Sequence, residues 1–429
     1  MKLKKVINII LVYFILNFTI FCNYSFATNL EIFSESAILI EKNTGKVLYS
    51  KNSDHKRYPA STTKILTAIL AIEHLSLDQK IIASHDAIMS IPSGYSIAAI
   101  QIGEALTVQE LLEVFLVHSA NEAGFILAEG VSGSIPAFAK LMNKKAKEIG
   151  CKNTNFTNPS GLHDENHYTT AHDLALIAKY CMENKTFRSI VSMPSCTIAP
   201  TDKYEERYFK STNDMLNPKS QYYNPNIIGI KTGYTKQAQN CLIAGFKKDD
   251  IELISVVLGS PSSVDEKGRS GKYLDTQTLF DYGIKNFGYK TIINSGDIVS
   301  QIEIPNASQE TKSLELIVEN SINIFMKNSD INNIEHEVKL YENITAPISA
   351  NTVLGTITYE IGGNTYTSNL LAKNDVDINI FLKNLLNILF VGIILIITCT
   401  FIHSKKKKKR KKKNGKKSNE NYLYGRVKY

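Results

Sequence analysis

The chain has 429 residues, 43% of them hydrophobic, which is enough to bury a full core and more than one domain. Its formal charge of +8 is unevenly placed: residues 404–429 hold eleven Lys and two Arg against one Glu, a net +12, so the rest carries −4. An acidic body excludes the nucleic-acid-binding class that the total charge would suggest.

The N-terminus predicts a secretory signal peptide over residues 1–27. Lysines within the first five residues precede an almost unbroken apolar run, Val6–Phe21. Ser25 and Ala27 then place small residues at positions −3 and −1 of a cleavage after Ala27. An uncleaved anchor helix is the alternative, but the run is short for a full span.

A first domain of α+β class is predicted over residues 28–288. Residues 36–50 have the pattern of a strand, an Asn-Thr-Gly turn and a second strand, and residues 62–184 show apolar spacing typical of helices. Further strands are predicted at 227–231, 241–246 and 253–258, and a closing helix at 273–286. A hairpin, a helical block and a return to strands favour an antiparallel sheet over alternating βαβ units.

A small all-β domain is predicted over residues 289–374, where short β-branched runs alternate with Asn, Ser and Gly. We interpret it as a spacer or partner surface. Its predicted strands are 314–318, 322–326, 336–340 and 353–359.

A transmembrane helix is predicted over residues 384–403. Leu385–Ile402 is apolar on every face, and at 1.5 Å per residue it spans roughly 27 Å, close to one hydrocarbon core. The basic block that follows predicts that residues 404–429 stay in the cytoplasm and that the first domain lies outside the bacterial membrane.

Four cysteines lie outside both apolar segments, and no pair forms a CxxC motif. Buried free thiols and disulfides both remain open, and redox chemistry gains no support. These residues are Cys151, Cys181, Cys196 and Cys241.

Three short motifs occur in order: SxxK at Ser61, SxN at Ser119 and KTG at Lys231. Singly they are weak signals, because SxxK also occurs at Ser53 and Ser404. Their surroundings therefore decide their meaning.

Ser61 precedes a run with the pattern of a buried helix, so it is expected at a helix N-terminus, where its free backbone N–H could stabilise an oxyanion. Lys64 lies three residues on and on the same face, within reach of the Ser61 hydroxyl. Burial and a second cation nearby would leave Lys64 neutral and able to act as a base. An ordinary N-cap Ser and a solvated Lys are the alternative.

The other two motifs could complete such a site. Ser119 and Asn121 follow an apolar helix, so a hydroxyl could relay a proton and an amide could bind a peptide carbonyl. Lys231 and Thr232 follow a strand whose edge could pair with an extended peptide and whose cation could meet a terminal carboxylate. A helix-to-helix turn and an edge-strand Lys are the alternatives.

These segments together resemble the low-molecular-weight penicillin-binding proteins, the serine-type D-alanyl-D-alanine carboxypeptidases. The likeness extends over about residues 36–288. It rests on Pro59-Ala60-Ser61-Thr62-Thr63-Lys64, Gly103-Glu104-Ala105-Leu106-Thr107, Asn158-Pro159-Ser160-Gly161-Leu162, Tyr168–Ala175 and Lys231-Thr232-Gly233-Tyr234-Thr235.

The resemblance implies a penicillin-binding/β-lactamase-like transpeptidase domain that removes the terminal D-alanine from peptidoglycan stem pentapeptides and is acylated by β-lactams. It needs no cofactor or metal, and the sequence leaves the oligomeric state unknown. It implies that Ser61 is the acyl-ester nucleophile, Lys64 the proton acceptor and Ser119 the second hydroxyl of the proton path. The substrate-binding residues are expected to be Asn121, Lys231, Thr232, Gly233 and Tyr234, with the N–H groups of Ser61 and Tyr234 as oxyanion hole.

The chain departs from the family pattern at three points. Ala120 stands where Gly is usual and should be tolerated at negative φ, and Glu122 stands where Asp is usual. Ala238-Gln239 replaces a frequent Ala-Gly. The Arg expected near the last helix could be Arg269 or Lys272, and the sequence does not choose.

Three other readings remain. A β-lactamase would need a Glu that activates the deacylating water, for which Glu165 is the nearest candidate. His163 and His167 have the spacing of a zinc pair, but Asp164 stands where a zinc peptidase would have Glu. A catalytically silent penicillin-binding-like protein that only binds peptidoglycan is the third.

Overall fold

The computed structural model of the protein describes the backbone of residues 30–420 and their side chains except at 332–333 and 412–420. The predicted signal peptide lies outside the described residues. The chain divides into two compact units after Asn286.

The first unit is built on an antiparallel five-stranded sheet in the order β2-β1-β9-β8-β7. Its strands are β1 (Ser36–Glu41), β2 (Val47–Lys51), β7 (Ile227–Thr235), β8 (Gln239–Lys248) and β9 (Ile251–Ser260). Leu39 pairs with Ser255, and the inner strands are buried along nearly their whole length. The order leaves β7 at an edge, free to accept another strand on one side.

Helices cover this sheet. They are α1 (Lys64–His74), α2 (His85–Met89), α3 (Val108–Glu113), α4 (Asn121–Ser132), α5 (Ile135–Ile149), α6 (Ala171–Met182), α7 (Lys185–Val191) and α8 (Gly271–Asn286). The first eight residues of α1 are all buried, so this helix forms the centre of the core rather than a surface layer. Thr107 and Glu110 form a capping box that begins α3. The α+β class predicted from the sequence is confirmed.

Two short two-stranded sheets lie outside the five-stranded sheet. The first pairs β3 (Lys80–Ile82) with β4 (Ala105–Thr107), and the second pairs β5 (Ser195–Ile198) with β6 (Arg207–Lys210). The sequence analysis did not predict either, because strands of three or four residues with exposed polar positions carry little periodic signal.

The second unit is all-β up to residue 372, as predicted. β10 (Phe287–Ile293) pairs with β13 (Ile322–Lys327), and a five-stranded antiparallel sheet has the order β11-β12-β16-β15-β14. The strands of that sheet are β11 (Ile298–Glu303), β12 (Ser313–Val318), β14 (His336–Leu340), β15 (Val353–Ile361) and β16 (Asn364–Ala372). Alternating buried and exposed residues along β12 and β15 enclose a small core of their own.

Helix α9 (Ile380–Glu420) ends the described chain. Its stretch Ile380–Lys411 is long and apolar enough to cross a membrane, and none of its apolar window is buried within the protein. The predicted span 384–403 lies inside this stretch.

Candidate active site

Ser61 lies in a single 3₁₀ turn, Ala60–Thr63, that leads directly into α1. The turn is tied to the preceding segment because Thr62 donates to the Pro59 carbonyl from both its N–H (3.2 Å) and its hydroxyl (2.7 Å). Ala60 has φ +48°, a conformation that L-residues adopt rarely. The Ser61 hydroxyl is thus held at a helix start by a constrained backbone, as the sequence predicted.

The Lys64 amine lies where a base for Ser61 must lie. Its Nζ is 2.9 Å from Ser61 Oγ, 2.7 Å from Asn121 Oδ1 and 2.7 Å from the Ser160 carbonyl. These three oxygens come from three separate segments, and the side chain is fully buried. The amine therefore has one fixed orientation rather than the mobility of a surface lysine.

Burial sets the charge of this amine. Desolvation, followed by repulsion from Lys231, lowers the pKa of Lys64 well below its usual range, and Glu122 opposes the shift. A lowered pKa favours the neutral amine, whose lone pair can accept the Ser61 proton. The surface-lysine alternative is wrong.

Ser119 follows a π-helical turn, Val114–His118, that breaks the regular helix after α3. It adopts the left-handed conformation, with φ +70°, and is buried. A non-glycine residue there is strained, and such strain and π-turns concentrate at functional sites. Ala120 has φ −59°, which explains why Ala is tolerated where Gly is usual.

Asn121 begins α4 and is fixed from both sides. Its Oδ1 accepts from Lys64, and its Nδ2 donates to the Ser96 carbonyl at 2.9 Å. Next to it, the buried Glu122 accepts the Ala98 N–H at 2.6 Å. The loop that carries Tyr95 and Ser96 is thereby tied to the start of α4.

The KTG motif lies within β7, which continues past it to Thr235. Lys231 is buried, and desolvation, with Lys272 nearby, lowers its pKa to about 7. Its Nζ donates to the Thr232 carbonyl at 3.1 Å, and the Thr232 hydroxyl meets that of Thr212 at 2.6 Å. A second buried lysine is thus held on this edge strand.

Gly233 is the point where β7 passes Ser61. A Cβ added there would lie 3.0 Å from the Ser61 nitrogen and 3.1 Å from the Pro59 carbonyl, so a larger residue would press on the turn. Tyr234, next along the strand, has a side chain that is 62% exposed. Because its ring lies in solvent, Tyr234 contributes its backbone to this part of β7.

These residues enclose one cleft of about 480 Å³. Of the predicted site residues it is lined by Ser61, Ser119, Asn121, Thr232, Gly233 and Tyr234. Lys64 and Lys231 are buried behind these residues. Lys64 bonds to Ser61 and Asn121 of the lining, and Lys231 bonds to the carbonyl of Thr232. The fold therefore brings all eight predicted residues to one place.

Lys272, not Arg269, lines this cleft. Burial lowers the pKa of Lys272, and its Nζ lies 3.4 Å from Asn240 Oδ1. Arg269 instead pairs its Nε with the Asp265 carboxylate four residues earlier. The choice that the sequence left open is thus decided by position: Lys272 is the cation near the site.

One contact of Lys64 has no signal in the sequence. The Ser160 carbonyl holds Lys64, and its turn is shaped by Asn158 Oδ1, which accepts the N–H groups of Ser160, Gly161 and Leu162 at 3.2, 2.8 and 3.1 Å. An Asn that caps three successive amides in an Asn-Pro-Ser-Gly segment is a recognisable turn signal. The sequence does not show that this turn places the Ser160 carbonyl beside Lys64.

The histidines considered as a zinc pair have separate contacts. The Nδ1 of His167 accepts the Thr157 N–H at 3.1 Å, and its Nε2 lies 2.9 Å from the Thr63 hydroxyl in the nucleophile turn. The His163 ring packs edge-on against Tyr58 at 4.8 Å. His167 therefore braces the turn that carries Ser61.

His167 makes stability depend on pH. Burial lowers its pKa to about 4 from the ordinary 6.5, so the unfolded chain binds the proton more readily. Stability is intact above pH 6.5 and is lost as pH falls toward 4. Between pH 7 and pH 5 the wild type should lose about 2 kcal/mol more than His167→Gln.

Urea unfolding of the full-length chain in detergent at both pH values measures this difference. His55→Gln, which removes an exposed imidazole, should behave as the wild type does. Equal losses in the wild type and in His167→Gln would contradict the assignment.

Glu165, the residue that a β-lactamase reading would need, is exposed and lines a different cleft from Ser61. The β-lactamase hypothesis therefore loses the residue that would activate the deacylating water. Cys151, Cys181, Cys196 and Cys241 are free thiols, which decides between free thiols and disulfides.

Comparison with known families places the chain. Residues 23–262 match the family described as D-alanyl-D-alanine carboxypeptidase. Residues 287–377 match the C-terminal domain of penicillin-binding protein 5. The two matches correspond to the two compact units.

Curated relatives align over most of the chain. The D-alanyl-D-alanine carboxypeptidase DacF of Bacillus subtilis is 35% identical over 353 residues, 80% of this chain and 85% of the relative. DacA of Haemophilus influenzae is 28% identical, over 81% of this chain and 86% of the relative.

Solved structures agree. Penicillin-binding protein 5 of Haemophilus influenzae has a TM-score of 0.60 at 27% identity and covers 82% of this chain and 99% of its own. The peptidoglycan synthesis regulatory factor PBP3 of Streptococcus pneumoniae has a TM-score of 0.63 at 26% identity, over 81% of this chain and 100% of its own. The chain belongs to the D-alanyl-D-alanine carboxypeptidase family of penicillin-binding serine peptidases.

Proposed function

We propose that this protein removes the terminal D-alanine from peptidoglycan stem peptides through an acyl-enzyme on Ser61. The observation that carries the proposal is the buried Lys64 amine 2.9 Å from Ser61 Oγ. A neutral amine at hydrogen-bond distance from a hydroxyl at a helix start is a general base paired with its nucleophile.

Acylation follows from this pair. Lys64 accepts the Ser61 proton as Oγ bonds to the carbonyl carbon of the penultimate D-alanine, and the oxyanion lies against the N–H groups of Ser61 and Tyr234. Lys64 returns this proton through Ser119 to the amine of the terminal D-alanine as the C–N bond breaks, which leaves Lys64 neutral again. Free D-alanine leaves, and the acyl group remains as an ester.

Deacylation reverses these roles. Water attacks the ester carbon, Lys64 accepts its proton, and Ser61 Oγ is protonated as the C–O bond breaks. Asn121, held rigidly between Lys64 and the Ser96 carbonyl, is placed to contact the substrate amide.

Lys231 and Thr232 provide the specificity for a free carboxylate. An anion that enters the cleft meets the buried Lys231 amine and the Thr232 hydroxyl, both on the edge strand β7. The negative charge of the anion favours the protonated form of Lys231. A β-lactam carries a carboxylate in the same relation to its reactive carbonyl, so it is expected to acylate Ser61 as well.

The reaction is tested by measuring free D-alanine released from a stem pentapeptide beside the lifetime of the penicilloyl adduct. The proposal expects stoichiometric D-alanine release and a long-lived adduct. Rapid penicillin turnover without D-alanine would make the protein a β-lactamase. Neither reaction would make it a silent peptidoglycan-binding relative.

Lys272 and Arg269 form a matched pair for testing carboxylate recognition. Lys272→Ala removes a cation that lines the cleft, so KM for the pentapeptide should rise about five- to tenfold, as for loss of a charge-assisted contact. Arg269→Ala removes a cation paired with Asp265 and should change KM less than about twofold. Steady-state D-alanine release measures both, and a larger effect from Arg269→Ala would reverse the assignment.

We also propose the topology that goes with this reaction. A signal peptide over residues 1–27 directs export, domains 28–288 and 289–374 lie outside the membrane, helix 384–403 spans it, and the basic tail 404–429 is cytoplasmic. The support is the apolar stretch in α9 with its lysine-rich flank. Protease added outside intact cells should remove the ectodomain and leave the tail protected.

A further inference from the structure

Glu122 is a buried carboxylate that has no part in the reaction steps above. It is 2% exposed in the first turn of α4, directly after Asn121. One of its oxygens, Oε1, accepts the Ala98 N–H at 2.6 Å, whereas Oε2 has no hydrogen-bond partner among the described residues. Burying a charged oxygen without a partner costs free energy, so this residue needs a physical explanation.

The start of α4, which carries Glu122, lies against the Lys64 amine. Asn121, the residue before Glu122, places its Oδ1 2.7 Å from Lys64 Nζ. The surroundings are apolar, because the Phe115 ring lies 5.4 Å from Lys64 Nζ and Gly124 leaves no room for a Cβ beside that ring. In such surroundings a charge acts strongly over several ångströms without direct contact.

The charges of Glu122 and Lys64 stabilise each other. Burial and Lys231 lower the pKa of Lys64, and the Glu122 carboxylate opposes them. Burial raises the pKa of Glu122, and neighbouring backbone N–H groups and Lys64 oppose it. The first turn of a helix also favours a negative charge. Each side chain therefore favours the charged form of the other.

The other titratable groups packed around this pair bring no unpaired negative charge to Lys64. They are Lys231 on β7, His118 in the π-helical turn, His167 in the segment before α6, and Arg207 on β6 with its ion-pair partner Glu104. Burial lowers the pKa of both histidines, so both are neutral at pH 7. Among the described residues, the carboxylate that raises the pKa of Lys64 is Glu122.

We propose that Glu122 is a positioning residue that acts through Lys64: its carboxylate stabilises the ammonium group that forms when Lys64 accepts the Ser61 proton. The proton then leaves through Ser119 to the departing amine, and the charge of Glu122 stays the same throughout. The inference rests on the proposed function, because Glu122 has this role only if Lys64 is the base. It explains why a carboxylate oxygen is buried here without a hydrogen bond.

Removing the Glu122 charge should shift the pH dependence of acylation. The acid limb of the rate reports the protonation of Lys64, because only the neutral amine can accept a proton. In Glu122→Gln the pKa of Lys64 falls further, so the acid limb should move about one pH unit lower. A base weaker by about one unit should also lower the maximal rate about three- to tenfold. The basic limb, set by Lys231 with its pKa of about 7, should stay in place.

Acylation of the full-length protein in detergent by a fluorescent penicillin, followed from about pH 5.5 to pH 9, measures both effects. The midpoint of a limb does not depend on the amount of folded protein, so partial unfolding leaves it unchanged. Glu122→Asp keeps the charge on a shorter side chain and should keep the wild-type midpoint. Glu129→Gln is the matched control: it removes a carboxylate that accepts from Ser84 Oγ, two turns further along α4, and should keep both midpoint and rate.

The outcomes separate a role in charge from a role in structure. If Glu122→Gln loses rate while its acid limb stays at the wild-type midpoint, Glu122 only ties α4 to Ala98 and the inference is overturned. A shift of the same size in Glu122→Asp or in Glu129→Gln overturns it as well, because the shift would then not come from the Glu122 charge. Wild-type protein that forms no adduct at any pH overturns the proposed function itself.

Discussion

Replacing Lys64 with Ala should lower the acylation rate of Ser61 by about 10³- to 10⁴-fold, the contribution of a positioned general base acting with its nucleophile. In the proposed mechanism the amine accepts the Ser61 proton from 2.9 Å, and its contacts with Asn121 and Ser160 orient it. Stopped-flow acylation by a fluorescent penicillin measures the rate.

A second variant separates this chemical effect from misfolding. Arg carries a permanent positive charge and cannot lose its proton, so Lys64→Arg should be as slow as Lys64→Ala. Thermal melting of each variant reports the folded fraction. Lys247→Ala, an exposed lysine at the far end of β8, should acylate at the wild-type rate. Folded Lys64→Arg protein that acylates within tenfold of the wild type would contradict the base assignment.

Gly161→Ala should lower the acylation rate about 100-fold although Gly161 does not line the catalytic cleft. Its φ is +80°, and a Cβ there would lie 1.8 Å from the Ala60 carbonyl oxygen and 2.9 Å from Thr63 Oγ1, so the nucleophile turn must move. A displacement of about 1 Å costs roughly 10²-fold in rate. Backbone strain and overpacking together should also cost about 3 kcal/mol of stability.

Gly133→Ala measures the effect of backbone strain without a steric clash. Its φ is +71°, nearly the same, but nothing lies within 4 Å of an added Cβ. It should lose about 1 kcal/mol of stability and keep its activity. Penicillin acylation rates with urea unfolding compare the two variants. Equal activity in both would show that the turn does not depend on Gly161.

Local patterns predicted much of the architecture. The first hairpin, the helical block, the three long strands and the closing helix each have a hydrophobic pattern that is visible within the segment itself. The apolar residues of α1 also explain why this helix lies in the core. The strand before the KTG motif was predicted to end at Lys231, but it continues to Thr235 because pairing with β8 extends it.

What could not be predicted depends on segments far apart in the chain. The carbonyl of Ser160 meets Lys64 across 96 residues, and Arg207 pairs with the buried Glu104 across 103. Neither partner has a local signature. The left-handed backbone of Ser119 follows from a π-turn, which the helical period of its sequence conceals.

The site residues themselves were predictable for a physical reason. SxxK is a helix-turn spacing, so the Ser61–Lys64 contact is local and follows once the helix is recognised. The meeting of that pair with Ser119 and Lys231 is not local. It was inferred from resemblance, and the fold supplies it through the start of α4 and the edge strand β7.

The central claim, that Ser61 is the nucleophile, is tested most directly by mapping the penicilloyl adduct by mass spectrometry on the purified full-length protein. The account predicts one adduct, on the peptide that contains Ser61, absent in Ser61→Ala and retained in Ser53→Ala, which removes the Ser of the nearby SxxK decoy. An adduct on any other residue, or one that persists in folded Ser61→Ala protein, would contradict it.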